Sequence, residues 1–388
     1  MTKFWMLLGV AALAGCATTT AAPQAGVAMT GANAAKLKQV GAEVLFWSQA
    51  QRDTNFPHME ALFPGHVVKA GRRVRPLPAG APLSLPGAEI DAYMAAQNVA
   101  GILVLQDGKV RLERYARGLT ARGRWTSFSV AKSFTSTLVG AAIADGYIKS
   151  VDDPVTRYIP ELAGSGYDGV SIAQLLTMTS GVKWDENYFD PKSDVARMYG
   201  GTVPAGQDPT VAYMRTLPRD TPPGEKWVYK TGETNLIGVL VTKATRKSLA
   251  AYLSEKVWKP VGMETDAFWM VDPSGQEIGG CCLSVSLRDY GRMGQFALEG
   301  GKGVVPANWF AEATSTKAAF ARSGYGYGYQ WWTYPQGRVG AQGIFGQSIL
   351  IDPGKRAVIV IVSAWPKATG ADLLAPRAVF QERVLGAL

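Results

Sequence analysis

The sequence predicts an α/β (α+β) fold: an antiparallel sheet assembled from N- and C-terminal segments, flanked by helices, with a mostly helical subdomain inserted between its two halves. Three observations lead there. Strand-like apolar segments occur at both ends of the folded part, a helical period dominates from residue 129 to about 300, and the first helix of that insert is almost uncharged. With 388 residues, 47% of them hydrophobic and 18% charged, the chain has the composition of a globular protein with a large core.

At the N-terminus, Met1-Thr2-Lys3 precedes the apolar run Phe4–Leu13, which is too short to span a bilayer and leads into Leu13-Ala14-Gly15-Cys16. Residues 1–15 read as an export signal. The last four residues resemble a bacterial lipobox, in which cleavage precedes Cys16 and lipid is attached to it. An ordinary signal peptide cut a few residues later is the alternative. Ala17 behind the cysteine resembles lipoproteins sorted to the outer membrane, so the expected location is the cell envelope, with the protein lipid-anchored and facing the periplasm. Residues 16–87 are then a tether and N-terminal extension: an Ala/Thr/Gly stretch, a short helical pattern from Lys36 to Trp47, and a Pro-rich stretch through Pro86 that should wrap over the surface.

The folded domain is expected at residues 88–388. Ala88 to Gln97 reads as a helix, and residues 101–106 and 109–115 flank Asp107-Gly108, a strong hairpin turn. Helical candidates follow at Ser129–Asp145, Ser171–Met178, Glu233–Thr245, Leu249–Trp258 and Ser286–Leu298, joined by long Gly/Pro/aromatic loops that are suited to lining a site. Strands return at Tyr327–Thr333, Arg338–Phe345, Ser348–Asp352 and Arg356–Val362, before a last helix from about Ala371 to Leu385. The insert begins at Ser129, so a cleft between sheet and insert would fall at that residue.

Charge and cysteine content narrow the function classes. The formal net charge is +9, one unit less once Lys3 leaves with the signal. Part of the excess sits in Arg72-Arg73-Val74-Arg75 and the rest is scattered among carboxylates, so a solvated surface is expected and no nucleic-acid partner. Once Cys16 carries lipid, only the adjacent Cys281 and Cys282 remain. They cannot staple distant loops and read as small buried residues. Without histidine or further cysteine beside them no metal is expected, and nothing calls for a cofactor.

Ser129-Val130-Ala131-Lys132 carries the most chemistry. A serine hydroxyl must lose its proton as it attacks a carbonyl, and the only two histidines, His58 and His66, lie in the Pro- and Arg-rich leader. Lysine three residues after serine on a helix sits on the same face one turn away. Its free pKa of about 10.4 would keep it charged at pH 7, but desolvation in an apolar helix lowers it. The helix start adds unpaired N–H groups that favour negative charge on a reacting oxygen. Ser180-Gly181-Val182-Lys183 repeats the spacing, but the glycine after its serine reads as the end of a helix. Asp185 and Glu186 read as solvated loop charges, with an acid/base pair as the alternative, and Ser171, inside a near match to a nucleophile elbow, reads as a helix N-cap.

With Ser129 and Lys132 opening a buried helix in that layout, the chain from about Ala88 onward resembles the serine β-lactamase and penicillin-binding superfamily. Tyr229-Lys230-Thr231 stands at its Tyr-x-Asn motif and Ala341-Gln342-Gly343 at its Lys-Thr-Gly motif. The segments 175–181 and 258–263 agree as well. The departures count too, since Thr231 and Ala341 replace the residues that hold the amide and the carboxylate of a penicillin, each contact being worth roughly 1.5 to 3 kcal/mol. Tyr229-Lys-Thr-Gly-Glu233-Thr and Gly343-Ile-Phe-Gly-Gln347 are more similar to the branch of 6-aminohexanoate-dimer hydrolases and related carboxylesterases. The resemblance implies a β-lactamase/transpeptidase-like fold and a serine hydrolase of small ester or amide substrates. It implies that Ser129 is the nucleophile, Lys132 its base and Tyr229 a partner in the proton relay. The amides of Ser129 and Ile344 would hold the oxyanion. Tyr188, Thr231, Gln342 and Gly343 would meet substrate, with loop packing the other role open to Tyr188. A D,D-peptidase or β-lactamase, and a non-catalytic envelope-binding lipoprotein, are the competing readings.

Overall fold

The computed structural model of the chain describes residues 43–198, 203 and 206–388. The export signal, Cys16 and most of the Lys36–Trp47 pattern lie outside the described residues. Helix α1 (Gln49–Asn55) opens with a capping box in which Ser48 and Gln51 bond each other's backbone N–H. Strand β1 (Gly65–Val68), helix α2 (Gly87–Ala96) and strands β2 (Val99–Gln106), β3 (Lys109–Tyr115) and β4 (Arg124–Thr126) follow. The central part contains α3 (Ala131–Ala144), α4 (Ile172–Leu176), α5 (Thr231–Thr245), β5 (Ala267–Met270), β6 (Leu283–Ser286) and α6 (Leu287–Leu298). Beyond it come β7 (Ala318–Ala319), β8 (Gly326–Tyr327), β9 (Trp332–Thr333), β10 (Val339–Gly343), β11 (Gln347–Asp352), β12 (Ala357–Ser363) and α7 (Ala371–Gly386), with shorter helical turns between.

Eight strands form the main antiparallel sheet in the order β3-β2-β12-β11-β10-β9-β8-β7, so the N-terminal hairpin joins the C-terminal meander through β2 and β12. Asp107 and Gly108 both take positive φ, as a two-residue hairpin turn requires. Strand β2 is apolar on both faces because it is covered on both. Ile102 and Val104 pack with Ile90, Phe380 and Val384 of α2 and α7, while Leu103 and Leu105 face the main core. Strand β12 alternates in the same way, with Ile359 and Ile361 on the first side and Val358 and Val360 on the second.

The sequence predicts one sheet, and the described residues form two. The second has the order β1-β5-β6-β4 and draws β1 from the stretch expected to wrap over the surface. Its four residues are too few for alternation to show, and the pairing with β5 spans about half the chain. The same stretch contributes Trp47, Phe56, Met59, Phe63 and Val68 to the main core. A further difference lies at Tyr327–Thr333, which is a sharp hairpin rather than one strand. Gln330 has a φ of 63° there, and its buried amide bonds Thr234 Oγ1 and the carbonyls at the end of α4. The segment Leu249–Trp258 is α-helical only to Leu253 and then takes a π-turn.

Helix α3 is buried from Ala131 to Ala142. Its hydroxyls are spent on neighbouring backbone: Ser133 donates to Gln330 O at 2.7 Å, Thr135 to Gly279 O at 2.6 Å and Ser136 to Tyr329 O at 2.7 Å. A polar-looking helix is thereby anchored inside the core. Among the described residues no helix is long and apolar enough to cross a membrane.

Candidate active site

Strand β4 ends one residue before a tight turn. Ser127 N donates to Leu283 O at 2.9 Å and Leu283 N to Ser127 Oγ at 3.0 Å, which extends the β4–β6 pairing to the edge of the turn. Phe128 then takes a φ of 41°, a strained value for a bulky residue. Its ring is held between Phe56 and Phe345, with centroids 5.0 and 5.1 Å away. Packing fixes the strained residue, and the chain swings directly into Ser129 and α3.

Lys132 is 1% exposed and its ammonium nitrogen has three neighbours: Ser129 Oγ at 3.2 Å, Thr231 Oγ1 at 3.0 Å and Gly280 O at 2.7 Å. Burial lowers its pKa to about 8, against the partial opposition of the Glu186 carboxylate. The neighbours match a neutral amine well. Gly280 O can only accept, and the Thr231 hydroxyl gives its proton to Glu186, so both take a hydrogen from Lys132. As the ammonium it also donates to Ser129 Oγ; once neutral it has no third hydrogen, and its lone pair is left for that oxygen.

Tyr229 closes the site from above. Lys132 Nζ lies 5.2 Å from the centroid of its ring, which stacks on Trp332 at 5.7 Å. Burial holds the phenol far above its ordinary pKa; the Glu186 charge adds to the shift and a hydrogen bond with Ser129 opposes it. The tyrosine therefore rests as a neutral phenol, and of the two groups beside Ser129 the lysine is the one poised to lose its proton near neutral pH.

Glu186 is where the sequence reading needs correction. Asp185 is exposed, but Glu186 turns inward and gathers four donors. Thr231 N reaches it at 2.8 Å and the Tyr188 hydroxyl at 2.7 Å, and the Thr231 hydroxyl and Trp184 Nε1 complete the set. Adjacent loop carboxylates look alike in sequence, and only the fold of Trp184–Tyr188 over α5 separates them. A further partner that sequence did not reveal is Gly280, whose N–H donates to Asn235 Oδ1 at 2.7 Å and so fixes the carbonyl that Lys132 uses.

The other sequence-selected residues divide. Tyr188, Thr231 and Ile344 line a cavity of about 150 Å³ together with Ser129. Gly343 brings β10 against the turn: a Cβ there would stand 2.6 Å from Ser127 O and 3.1 Å from Ser129 N. Gln342 belongs elsewhere. Strand alternation sends it to the opposite face, where its amide donates to the Tyr334 hydroxyl at 2.6 Å and accepts from Arg377 of α7. Its expected contact with substrate is replaced by a role in joining the sheet to α7. Ser180 and Lys183 are apart in function, since Ser180 Oγ donates to Glu233 while Lys183 is exposed. Glu233 and Lys230 form a fully buried pair at 3.6 Å, and desolvation pushes the Glu233 carboxyl up to about 6.

Cys281 and Cys282 also need correction. They are bonded to each other, with Cα atoms 3.7 Å apart, and both line the cavity just beyond Gly280. Sequence adjacency rules out a staple between distant loops but not a bond between the two neighbours. Cys282 takes a φ of 69°, which shapes the backbone between Gly280 and β6.

A family model described as Beta-lactamase matches residues 88–383. The 6-aminohexanoate-dimer hydrolase of Paenarthrobacter ureafaciens is 34% identical over 284 residues, covering 68% of this chain and 72% of its own length. A beta-lactamase of Pseudomonas fluorescens is 34% identical over 101 residues, and the match covers 24% of this chain and 28% of that protein. Among solved structures, a Bacillus anthracis protein provisionally described as a 6-aminohexanoate-dimer hydrolase superposes with a TM-score of 0.76 at 22% identity, covering 86% of this chain and 93% of that one. EstCE1, described as a hydrolase with promiscuous acyltransferase activity, gives 0.62 at 14% identity, covering 77% and 96%. At these identities the solved structures speak for the fold, which is that of β-lactamases and penicillin-binding proteins.

Proposed function

This chain belongs to the beta-lactamase family of serine hydrolases, and from that premise we propose that it cleaves small esters or amides through an acyl-enzyme on Ser129. The observation that carries the reading is the Lys132 nitrogen, buried and held by Thr231 and Gly280 so that its third direction is Ser129 Oγ at 3.2 Å. Lys132 takes the serine proton as the carbonyl is attacked. Tyr229, a neutral phenol, passes its proton to the leaving group and regains one from the protonated Lys132, and water then releases the acyl chain by the reverse relay. The backbone amides of Ser129 and Ile344 hold the oxyanion. A β-lactam is a poorer fit, because Ala341 offers no cation for its carboxylate. Hydrolysis of p-nitrophenyl butyrate by the wild type beside Ser129→Ala is the test, and equal rates would reject the proposal.

Glu186 acts as a positioning residue in this scheme. It fixes the Thr231 hydroxyl so that Thr231 accepts from Lys132, and its charge raises the Lys132 pKa. Glu186→Gln offers one acceptor oxygen to four donors. Plateau kcat/KM is expected to fall by roughly tenfold, the scale of one lost charge-assisted hydrogen bond. The midpoint of the pH–rate profile should move to lower pH, because removing a nearby anion favours the neutral lysine. A fall in rate with an unmoved midpoint would count against the assignment.

We further propose that the enzyme lies in the bacterial envelope, held in the outer membrane by lipid on Cys16 and facing the periplasm. The Leu13-Ala14-Gly15-Cys16 signal supports it. Cys16→Ala should move the protein from the membrane to the soluble fraction, and an unchanged membrane fraction would speak against lipid at that residue.

A further inference from the structure

The bond between Cys281 and Cys282 begins one residue after an atom that the Lys132 chemistry uses. Gly280 O is the nearest of the three neighbours of Lys132 Nζ, at 2.7 Å. The N–H of Gly280 is pinned to α5 through Asn235 Oδ1 at 2.7 Å. The approach leaves no room for a side chain, since a Cβ there would stand 2.8 Å from Asn235 Oδ1 and 3.0 Å from Thr231 O. That pin does not fix the carbonyl. Glycine has the least restricted backbone of any residue, and rotation about its Cα–C bond swings the oxygen while the N–H stays in place.

The carbonyl is held from its other side. It shares a peptide plane with Cys281 N, which donates to Ile278 O at 3.1 Å. Cys281 O accepts from Trp269 Nε1 at 3.1 Å and Cys282 O from Met270 N at 3.2 Å, so both cysteines are tied to β5. Between these ties Cys282 takes a φ of 69°, whereas a residue with a side chain, left to itself, favours negative φ. The disulfide closes a small ring around the 281–282 peptide and removes the extended conformations that the pair would otherwise sample.

We propose that the Cys281–Cys282 disulfide is a positioning element for the reaction: it holds the Gly280 carbonyl on Lys132, and its reduction slows the enzyme by loosening that contact. This deepens the reading of Lys132 as the base for Ser129 and rests on it. A carbonyl oxygen favours the ammonium over the amine, so a looser contact lowers the Lys132 pKa and lets the lone pair turn away from Ser129 Oγ. The titratable neighbours of Lys132 are held by contacts of their own, Glu186 by its four donors and Tyr229 by its stack on Trp332. Both cysteines line the cavity, so a reductant that enters beside Ser129 reaches the bond.

The test reduces the protein with a water-soluble trialkylphosphine. The phosphine attacks one sulfur and leaves as its oxide, taking the oxygen of a water molecule, and the bond becomes two thiols that carry that water's protons. Before reduction the tryptic peptide that holds both cysteines should take up no alkylating label, and after it two. Reduction should lower plateau kcat/KM for p-nitrophenyl butyrate by roughly three- to tenfold, the scale of one ordinary hydrogen bond, and move the midpoint of the pH–rate profile lower by about 0.5 to 1 pH unit. Circular dichroism checks the fold. Cys281→Ser/Cys282→Gly, in which glycine admits the positive φ but nothing holds it, should match the reduced wild type and ignore the phosphine. Free thiols in the untreated protein, a rate indifferent to reduction, a slower rate with an unmoved midpoint, or a double variant that matches the oxidised wild type overturns the proposal. Loss of the fold in both the reduced protein and the double variant would make the bond purely structural and overturns it as well. If no ester is cleaved, the nucleophile reading fails by itself. The Lys132 pKa is then read by NMR on isotope-labelled lysine, with Lys132→Met assigning the signal; a value that falls on reduction upholds the positioning role, and one that does not move overturns it.

Discussion

Ser129→Ala is expected to leave the protein folded and to reduce p-nitrophenyl butyrate turnover by at least roughly 10³-fold. Folding should be indifferent because the change removes one oxygen from a residue whose side chain meets only the reacting groups. Phe128 stays held between Phe56 and Phe345, and Lys132 keeps Thr231 and Gly280. Turnover should collapse because neither remaining group replaces a nucleophile; the oxyanion donors and the cavity support at most a slow attack by water. The measurement is the initial rate of both proteins, with far-UV circular dichroism showing both folded. A variant as fast as the wild type would place the chemistry elsewhere.

Lys132→Met should produce a loss of similar size, roughly 10³-fold, since methionine is an unbranched chain one atom shorter than lysine and offers no base. The wild type has a second signature. Lysine accepts the serine proton only when neutral, and burial lowers its pKa to about 8. Below that value the amine is an ammonium and kcat/KM falls as pH falls; above it the rate levels off. The wild-type profile should therefore rise through a midpoint near 8, and the residual rate of Lys132→Met should lack that inflection. A flat profile across pH 7 to 9, or a Met variant retaining a tenth of the activity, would mean that another group takes the proton.

Much of this was legible because it is local. A two-faced apolar strand before Asp107-Gly108 and another in residues 357–362 announce a covered sheet, and the near absence of charge in α3 announces a core helix. Gln342 shows a reading that local logic could have refined. Residues 341 and 343 turn toward the site, so strand periodicity alone assigns 342 to the other face. Glu186 allowed no such inference, because its neighbour Asp185 has the same chemistry and only the packing of their loop on α5 tells them apart. The second sheet was hidden for a related reason, since its first strand is four residues long and finds its partner some 200 residues away.

The placing of Lys132 beside Ser129 was determined by sequence alone, because a three-residue separation on a helix brings two side chains to one face whatever the rest of the protein does. The charge state of that lysine was decided by tertiary structure. Its pKa depends on water being excluded and on acceptors 99 and 148 residues away, Thr231 and Gly280, arriving at hydrogen-bond distance. Spacing along a helix is a property of the backbone, whereas desolvation and electrostatic potential are sums over everything that packs nearby.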